Sequence, residues 1–313
     1  MDNQREIDYV KMNPANPKYN IIIDTDCAVD DLRAITMLCA LKEVNIKGII
    51  TSDGTLPPET GAKKVRALLQ FLGRLDIPVG IGRKFNRNPP FWREFNSTIY
   101  WGDEQDVDQV TVRSAGTLLR QVLEKAQDKI TLICLGPLTN IADLLRQSPQ
   151  YFEKIRSIIW YIESVSTGFR GSNYETDRFS ALRLLYSGLK FFCISSLGKS
   201  SITIDENYIS SVSVLKTIYA GAVLNSFISP GMEEKLQTKH LKLWDDLVPL
   251  FVVAPYYFQM DSLPGNTNVF YTTDYDCKAL KSLIFSILSG WHPGVEKTLT
   301  EYSEKLIKQT KRI

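Results

Sequence analysis

The chain of 313 residues is 44% hydrophobic and 23% charged, enough apolar material for a large folded core and too much for a disordered chain. Its 37 Lys and Arg nearly balance 35 Asp and Glu, so no global field is available to hold a nucleic-acid backbone. No apolar run is long enough to span a membrane and the first residues carry no apolar signal region, which reads as a cytoplasmic protein.

Past a polar arm (1–18), short β-branched runs alternate with segments of helical period, the pattern of parallel strands joined by crossover helices. In chain order the expected strands are Asn20–Ile23, Asn45–Thr51, Ile77–Gly80, Ile130–Leu135, Ser157–Ile162 and Lys190–Ser196. The expected helices lie near 30–41, 59–72, 112–127, 138–147 and 180–187, with further helices after about residue 205 packed around the sheet. Residues 82–110, rich in Asn, Pro and aromatics, are too long for a routine connection and read as a binding loop. A second irregular stretch, 163–177, would emerge on the same sheet edge. Without repeats or a low-complexity linker, 1–313 reads as a single α/β domain. Cys27, Cys39, Cys134, Cys193 and Cys277 are odd in number and singly spaced, as free thiols are.

The segment IIIDTDCAVDD (21–31) places Asp24, Asp26, Asp30 and Asp31 directly behind an apolar strand, and LRAITMLCAL then continues with helical spacing. The carboxyl end of a strand in an open α/β sheet is where ligands bind. A helix N-terminus welcomes one or two acids as caps, but four within eight residues repel one another unless protons or a cation intervene. A divalent cation is the solution at neutral pH. With only two histidines, His240 and His292, and no CxxC, its ligands would be oxygens. Two patterns begin with D-x-D after a strand. The haloacid-dehalogenase phosphatases use D-x-D-x-[TV] with the first Asp as nucleophile, which here would be Asp24, although the fifth position is Ala28. The other, D-x-D-x-x-x-D-D, is met at every acidic position.

On that second pattern the chain resembles the inosine-uridine nucleoside hydrolase family, and further segments carry the likeness. ITLICLGPLTNIADLL (130–145) resembles the family's strand and GPLTN; LWDDLVPLFVVAP (243–255) resembles its late His-Asp or Trp-Asp helix start; Asn173 and Asp177 precede SALRLLY with the spacing of F-N-x-x-x-D-P-E-A-A. The resemblance implies a doubly wound, mostly parallel, Rossmann-like sheet. It also implies a Ca²⁺ site made of Asp26, Asp31, the Leu135 carbonyl and Asp245, with Asp24 in support. Asp30 and Asn173 would hold the ribose. Trp244, in place of the family's His, and Trp92, in NPPFWREF, point to the purine-preferring subgroup, whose two indoles enclose the base; the plain alternative for either is core packing. Trp101 would lie at the rim. The partner would be a small nucleoside, and the assembly a homodimer or homotetramer.

The implied chemistry is hydrolysis of the N-glycosidic bond, with Asp26 as general base for water and a stacked, protonated purine as leaving group. Four features depart from the family. The Glu two residues before the ribose-binding Asn is Gly171, the upstream Asn of a G-N motif has no counterpart, M-G-G after the fifth strand is Tyr161-Ile162-Glu163, and the Pro-Gly of the acidic turn is Cys27-Ala28. Lost hydroxyl contacts weaken transition-state binding, which leaves a weakened hydrolase or a non-catalytic nucleoside-binding protein as an alternative beside the phosphatase using Asp24.

Overall fold

The computed structural model describes residues 19–85, 88–104, 113–166, 168–196 and 201–290. The polar arm lies outside them, as do parts of the 82–110 loop. Tyr19–Thr25 forms β1 and Val29–Ala40 α1, followed by Val44–Thr51 (β2), Pro58–Phe71 (α2), Val79–Ile81 (β3), Arg93–Thr98 (α3), Arg113–Ser114 (β4) and Ala115–Lys125 (α4). Ile130–Cys134 (β5), Thr139–Gln147 (α5), Ile155–Tyr161 (β6), Ser172–Thr176 (α6), Arg178–Leu185 (α7) and Phe191–Ile194 (β7) continue the alternation. The last part comprises Glu206–Ser213 (α8), Ile218–Asn225 (α9), Met232–Gln237 (α10), Leu247–Val253 (α11), Phe258–Leu263 (β8), Asn266–Tyr275 (β9) and Cys277–Leu288 (α12).

The nine strands make one sheet in the order β4-β3-β2-β1-β5-β6-β7-β9-β8, and only the β8–β9 pair is antiparallel. Parallel pairing follows from the sequence: strands such as ITLIC are buried on both faces and so carry continuous apolar runs. Ile21 and Ile23 enter the core on one side of the sheet while Ile22 enters the core on the other. Each such fully buried aliphatic side chain contributes about 1.5–3 kcal/mol. β1 sits between β2 and β5, so the strand order reverses there, and a crevice opens beyond the carboxyl ends of β1 and β5.

All six expected strands and five expected helices are present, with ends shifted by a few residues. The helices expected after residue 205 are present as α8 to α12, and β8 and β9 add an antiparallel hairpin at the sheet edge that was not expected. Phe258 and Met260 alternate inward against exposed neighbours, and Gly265, at φ 78°, makes the turn after Pro264. The parallel pair β7–β9 joins this hairpin to the main sheet. α1 is buried along its whole length, charged residues included, between the sheet and α9, α11 and α12. All five cysteines are free, and no helix among the described residues is long and apolar enough to cross a membrane.

Candidate functional site

The crevice is built first from its backbone. After β1 the chain turns through Cys27, whose φ of 64° lies in the left-handed region, and enters α1. Such a conformation costs a non-glycine residue about 1–3 kcal/mol and is retained where surroundings enforce it. Here the enforcement is visible. The Cys27 N–H donates to Thr25 Oγ1 at 3.1 Å, Thr25 Oγ1 donates to Asp31 Oδ1, and the Ala28 N–H donates to Asp31 Oδ2 at 3.1 Å. Asp31 thus does the capping work that a helix start asks of an acid. On the opposite flank the GPLTN segment approaches closely: a Cβ on Gly136 would stand 3.0 Å from the Asp26 backbone nitrogen and Cβ.

The other three turn acids have separate surroundings. Asp24 accepts from Asn140 Nδ2 at 3.2 Å on both carboxylate oxygens, and Asn140 also reaches the Thr51 carbonyl at 3.1 Å. Asp24 is 1% exposed and does not line the crevice, so it supports the floor, and a phosphatase nucleophile at this position would have no access to substrate. Asp26 Oδ2 accepts the Thr55 N–H at 2.8 Å, and Asp30 Oδ2 accepts the Asp245 N–H at 3.4 Å. Asp30, Asp31 and Asp245 each offer a carboxylate oxygen within 4.8 Å of the others. The trio gathered by the structure therefore includes Asp30, expected at the ribose, while Asp26, expected on the cation, faces the Thr55 amide beside it.

Electrostatics mark this floor as strained without a counter-ion. Burial pushes the carboxyls of Asp24, Asp31 and Asp245 well above their ordinary range, and burial raises Asp30 too, with Arg33 opposing. Neighbouring acids add to this: Asp26 and Asp30 raise Asp31, and Asp30, Asp31 and Asp26 raise Asp245. Asp245 Oδ1 is buried with no hydrogen-bond partner among the described residues. A buried, partnerless carboxylate oxygen facing other carboxylates is what an oxygen-seeking divalent cation satisfies, so these residues fit such an ion.

Two anchors were not foreseen from the sequence. Arg33 donates through Nε and Nη2 to both oxygens of Asp246, at 2.7 and 2.8 Å, and neither side chain is exposed. Burial alone would lower the Arg33 pKa, but the charge of Asp246 holds it above its ordinary value. This fork ties α1, the carrier of Asp30 and Asp31, to the segment carrying Asp245. Its signals were an Arg inside the mostly apolar run LRAITMLCAL and the second Asp of WDDL. The other anchor is Asn96, on α3 of the long loop. Its Oδ1 accepts the Val29 N–H at 2.9 Å, capping α1, and its Nδ2 donates to the Trp92 carbonyl at 2.9 Å. Arg93 adds Nε to the Thr55 carbonyl at 2.8 Å and Nη2 to the Gly54 carbonyl at 2.9 Å. The loop is thereby fastened to the acidic turn.

Above this floor lies a cavity of about 810 Å³, within the range of small-molecule sites. Asp26, Asp30, Asp245, Leu135 and Asn173 line its polar side, and Phe91, Trp92, Phe95 and Trp244 its aromatic side. The Leu135 carbonyl accepts Asn173 Nδ2 at 2.8 Å, and the same amide donates to the Tyr161 carbonyl at 3.2 Å. Trp92 is held by Nε1 donating to Thr55 Oγ1 at 3.1 Å. Trp101, expected at the rim, is instead 1% exposed within the core and does not line the cavity; its bulk is used for packing.

Fold and site together define an α/β protein with a buried carboxylate cluster beneath an aromatic cavity at the switch point of its sheet. Residues 21–167 match the model of the family described as inosine-uridine preferring nucleoside hydrolase. "Pyrimidine-specific ribonucleoside hydrolase RihA" of Photobacterium profundum is 32% identical over 157 residues, covering 47% of this chain and 49% of that protein. The chain thus spans about half the length of this relative and of its counterpart in Klebsiella pneumoniae. "Non-specific ribonucleoside hydrolase RihC" of Salmonella agona is 25% identical over 256 residues, 78% of this chain and 81% of that one. A purine-preferring ribonucleoside hydrolase from Gardnerella vaginalis shares the fold, with TM-score 0.72 at 17% identity over 87% of this chain and 98% of that chain.

Proposed function

We propose that the chain hydrolyses the N-glycosidic bond of ribonucleosides, purines preferred, with Ca²⁺ held by Asp26, Asp31, Asp245 and the Leu135 carbonyl. The observation that carries this reading is the partnerless buried oxygen of Asp245 among acids on the floor of a cavity that also holds Trp92 and Trp244. Asp30, which stands within the same carboxylate trio, and Asn173 are assigned to the ribose. When bound, such a cation supplies Lewis-acid polarisation and lowers the pKa of water. Asp26, braced by the Thr55 amide, takes the proton from the water as its oxygen bonds to C1′. The C1′–N bond breaks with its electron pair leaving on the base. The negative floor favours the cationic ribosyl group, and the indoles of Trp92 and Trp244 favour a purine that departs after a ring nitrogen has taken a proton from solvent. No imidazole acid is required in this scheme.

The relatives named for pyrimidine and for non-specific hydrolysis make the base the finer question. Release of free base from inosine, adenosine, guanosine, uridine and cytidine in the presence of Ca²⁺ answers it. Purine turnover above pyrimidine is expected; no turnover with any of the five removes the reading. The same reading carries a cytoplasmic location and a homodimer or homotetramer, the latter measured by light scattering.

A further inference from the structure

We infer that Thr55 is a positioning residue that sets the indole of Trp92 and the carboxylate of Asp26 in register with one another, the first through its hydroxyl and the second through its amide N–H. Trp92 and Asp26 carry here the roles given by the ribonucleoside reading above, on which this assignment rests.

Thr55 lies between β2 and α2, is 5% exposed, and uses its N–H, its carbonyl and its hydroxyl oxygen at once. The N–H donates to Asp26 Oδ2 at 2.8 Å, the carbonyl accepts Arg93 Nε at 2.8 Å, and Oγ1 accepts the Trp92 Nε1–H at 3.1 Å. The next residue continues the tie, because the Leu56 N–H donates to the Asp26 carbonyl at 3.0 Å. A buried residue whose backbone is bonded on both sides presents its hydroxyl at a defined place.

The indole needs that hydroxyl because close packing does not hold it. A second cavity, of about 170 Å³, adjoins the large one, and Asp26, Thr55 and Trp92 line both. These residues form the partition between the two, so open space meets the Trp92 side chain from either cavity. Phe91 touches the indole edge-on at 4.8 Å between ring centroids, but is itself 93% exposed and gives no firm backing. Asn96 holds the Trp92 carbonyl, which fixes the main chain and leaves the ring to rotate. A ring without dense packing around it is placed by its directional bonds, and an indole has a single polar group, the Nε1–H that Thr55 Oγ1 accepts. The same residue holds Asp26, so the stacking face and the carboxylate keep one fixed spacing.

The test reads the indole and the kinetics separately. Thr55→Val keeps the β-branched shape and the amide N–H on Asp26 and removes only the acceptor. Exchange of the Trp92 Nε1 proton with solvent, followed by NMR and assigned by its loss in Trp92→Phe, should be about 3- to 10-fold faster in Thr55→Val than in wild type, the worth of one neutral hydrogen bond. Thr55→Ser should restore it. On a cleaved purine ribonucleoside, Thr55→Val should raise KM by about the same factor with kcat near the wild-type value, since the brace on Asp26 is backbone, and Thr55→Ser should again restore it. Unchanged exchange, an unchanged KM, or a fall in kcat without a rise in KM would each overturn the assignment. Where Thr55→Val does not fold, Thr55→Ser against Thr55→Ala, which differ only in the hydroxyl, makes the same comparison. If wild type cleaves no nucleoside, the proposed function falls separately, and the exchange rates still decide what holds the indole.

Discussion

The floor and the rim of the cavity are built differently. Floor acids ride on the end of β1, the first turn of α1 and the segment before α11, all inside the packed core, and are cross-braced by Arg33, Asn140 and Thr55. The rim is carried by the long loop with Trp92 and α3, by α10, and by the segment holding Glu163 and Ser172; a few hydrogen bonds fasten the first and the last, and Lys235 of α10 lies over the Phe95 ring. The difference teaches a division of labour: charge that repels itself is set on rigid elements, and groups that choose the ligand are set on loops tied to them.

If the floor does the chemistry, Asp26→Asn should lower kcat by about 10²–10⁴-fold with little change in nucleoside Kd. A matching loss of binding would assign Asp26 to ligand retention instead. If Arg33 braces the floor, Arg33→Met should destabilise the fold by about 3–5 kcal/mol in urea unfolding, because it strands Asp246 as a buried unpaired charge. A loss under about 1 kcal/mol would mean that water reaches the pair.

A graded effect should appear with pH in cation-free protein. The raised carboxyls of Asp24, Asp30, Asp31 and Asp245 mean that the native state binds more protons than the unfolded one. Native stability should then be greatest below the unfolded Asp pKa of about 3.9 as far as these groups contribute, and decline as pH rises above it. Saturating Ca²⁺, read by the thermal midpoint at each pH, should remove that decline. On the rim, Trp244→Ala should cut the purine-over-pyrimidine ratio of kcat/KM by about 10-fold, the worth of one cation–π face. The smallest effect is expected at Asn96→Ala, about 1 kcal/mol from the lost cap on α1, with hydrogen exchange rising at Val29.

The same contrast explains what was legible in the sequence. Hydrophobic runs such as IIIDTD and ITLICLG announced β1 and β5 because both faces of those strands are buried, and four closely spaced acids announced the floor because their repulsion demands an answer. The β8–β9 hairpin was overlooked although QMDSLPGNTNVFYTT alternates around a Pro-Gly turn; the helical pattern before it masked the change of period. Trp101 and Trp92 share one aromatic-rich loop, and only tertiary packing separates the core residue from the cavity wall. Arg33, Asp246, Asn96 and Asn140 act through partners 67 to 213 residues away, which no local pattern encodes.

The central claim is that the floor holds a divalent cation, and calorimetric titration of Ca²⁺ into metal-stripped wild type and Asp245→Asn tests it most directly. One site per chain in wild type, with binding lost or weakened at least about 10-fold in the variant, is the predicted result. No heat of binding in wild type, or the same affinity in both proteins, would contradict it.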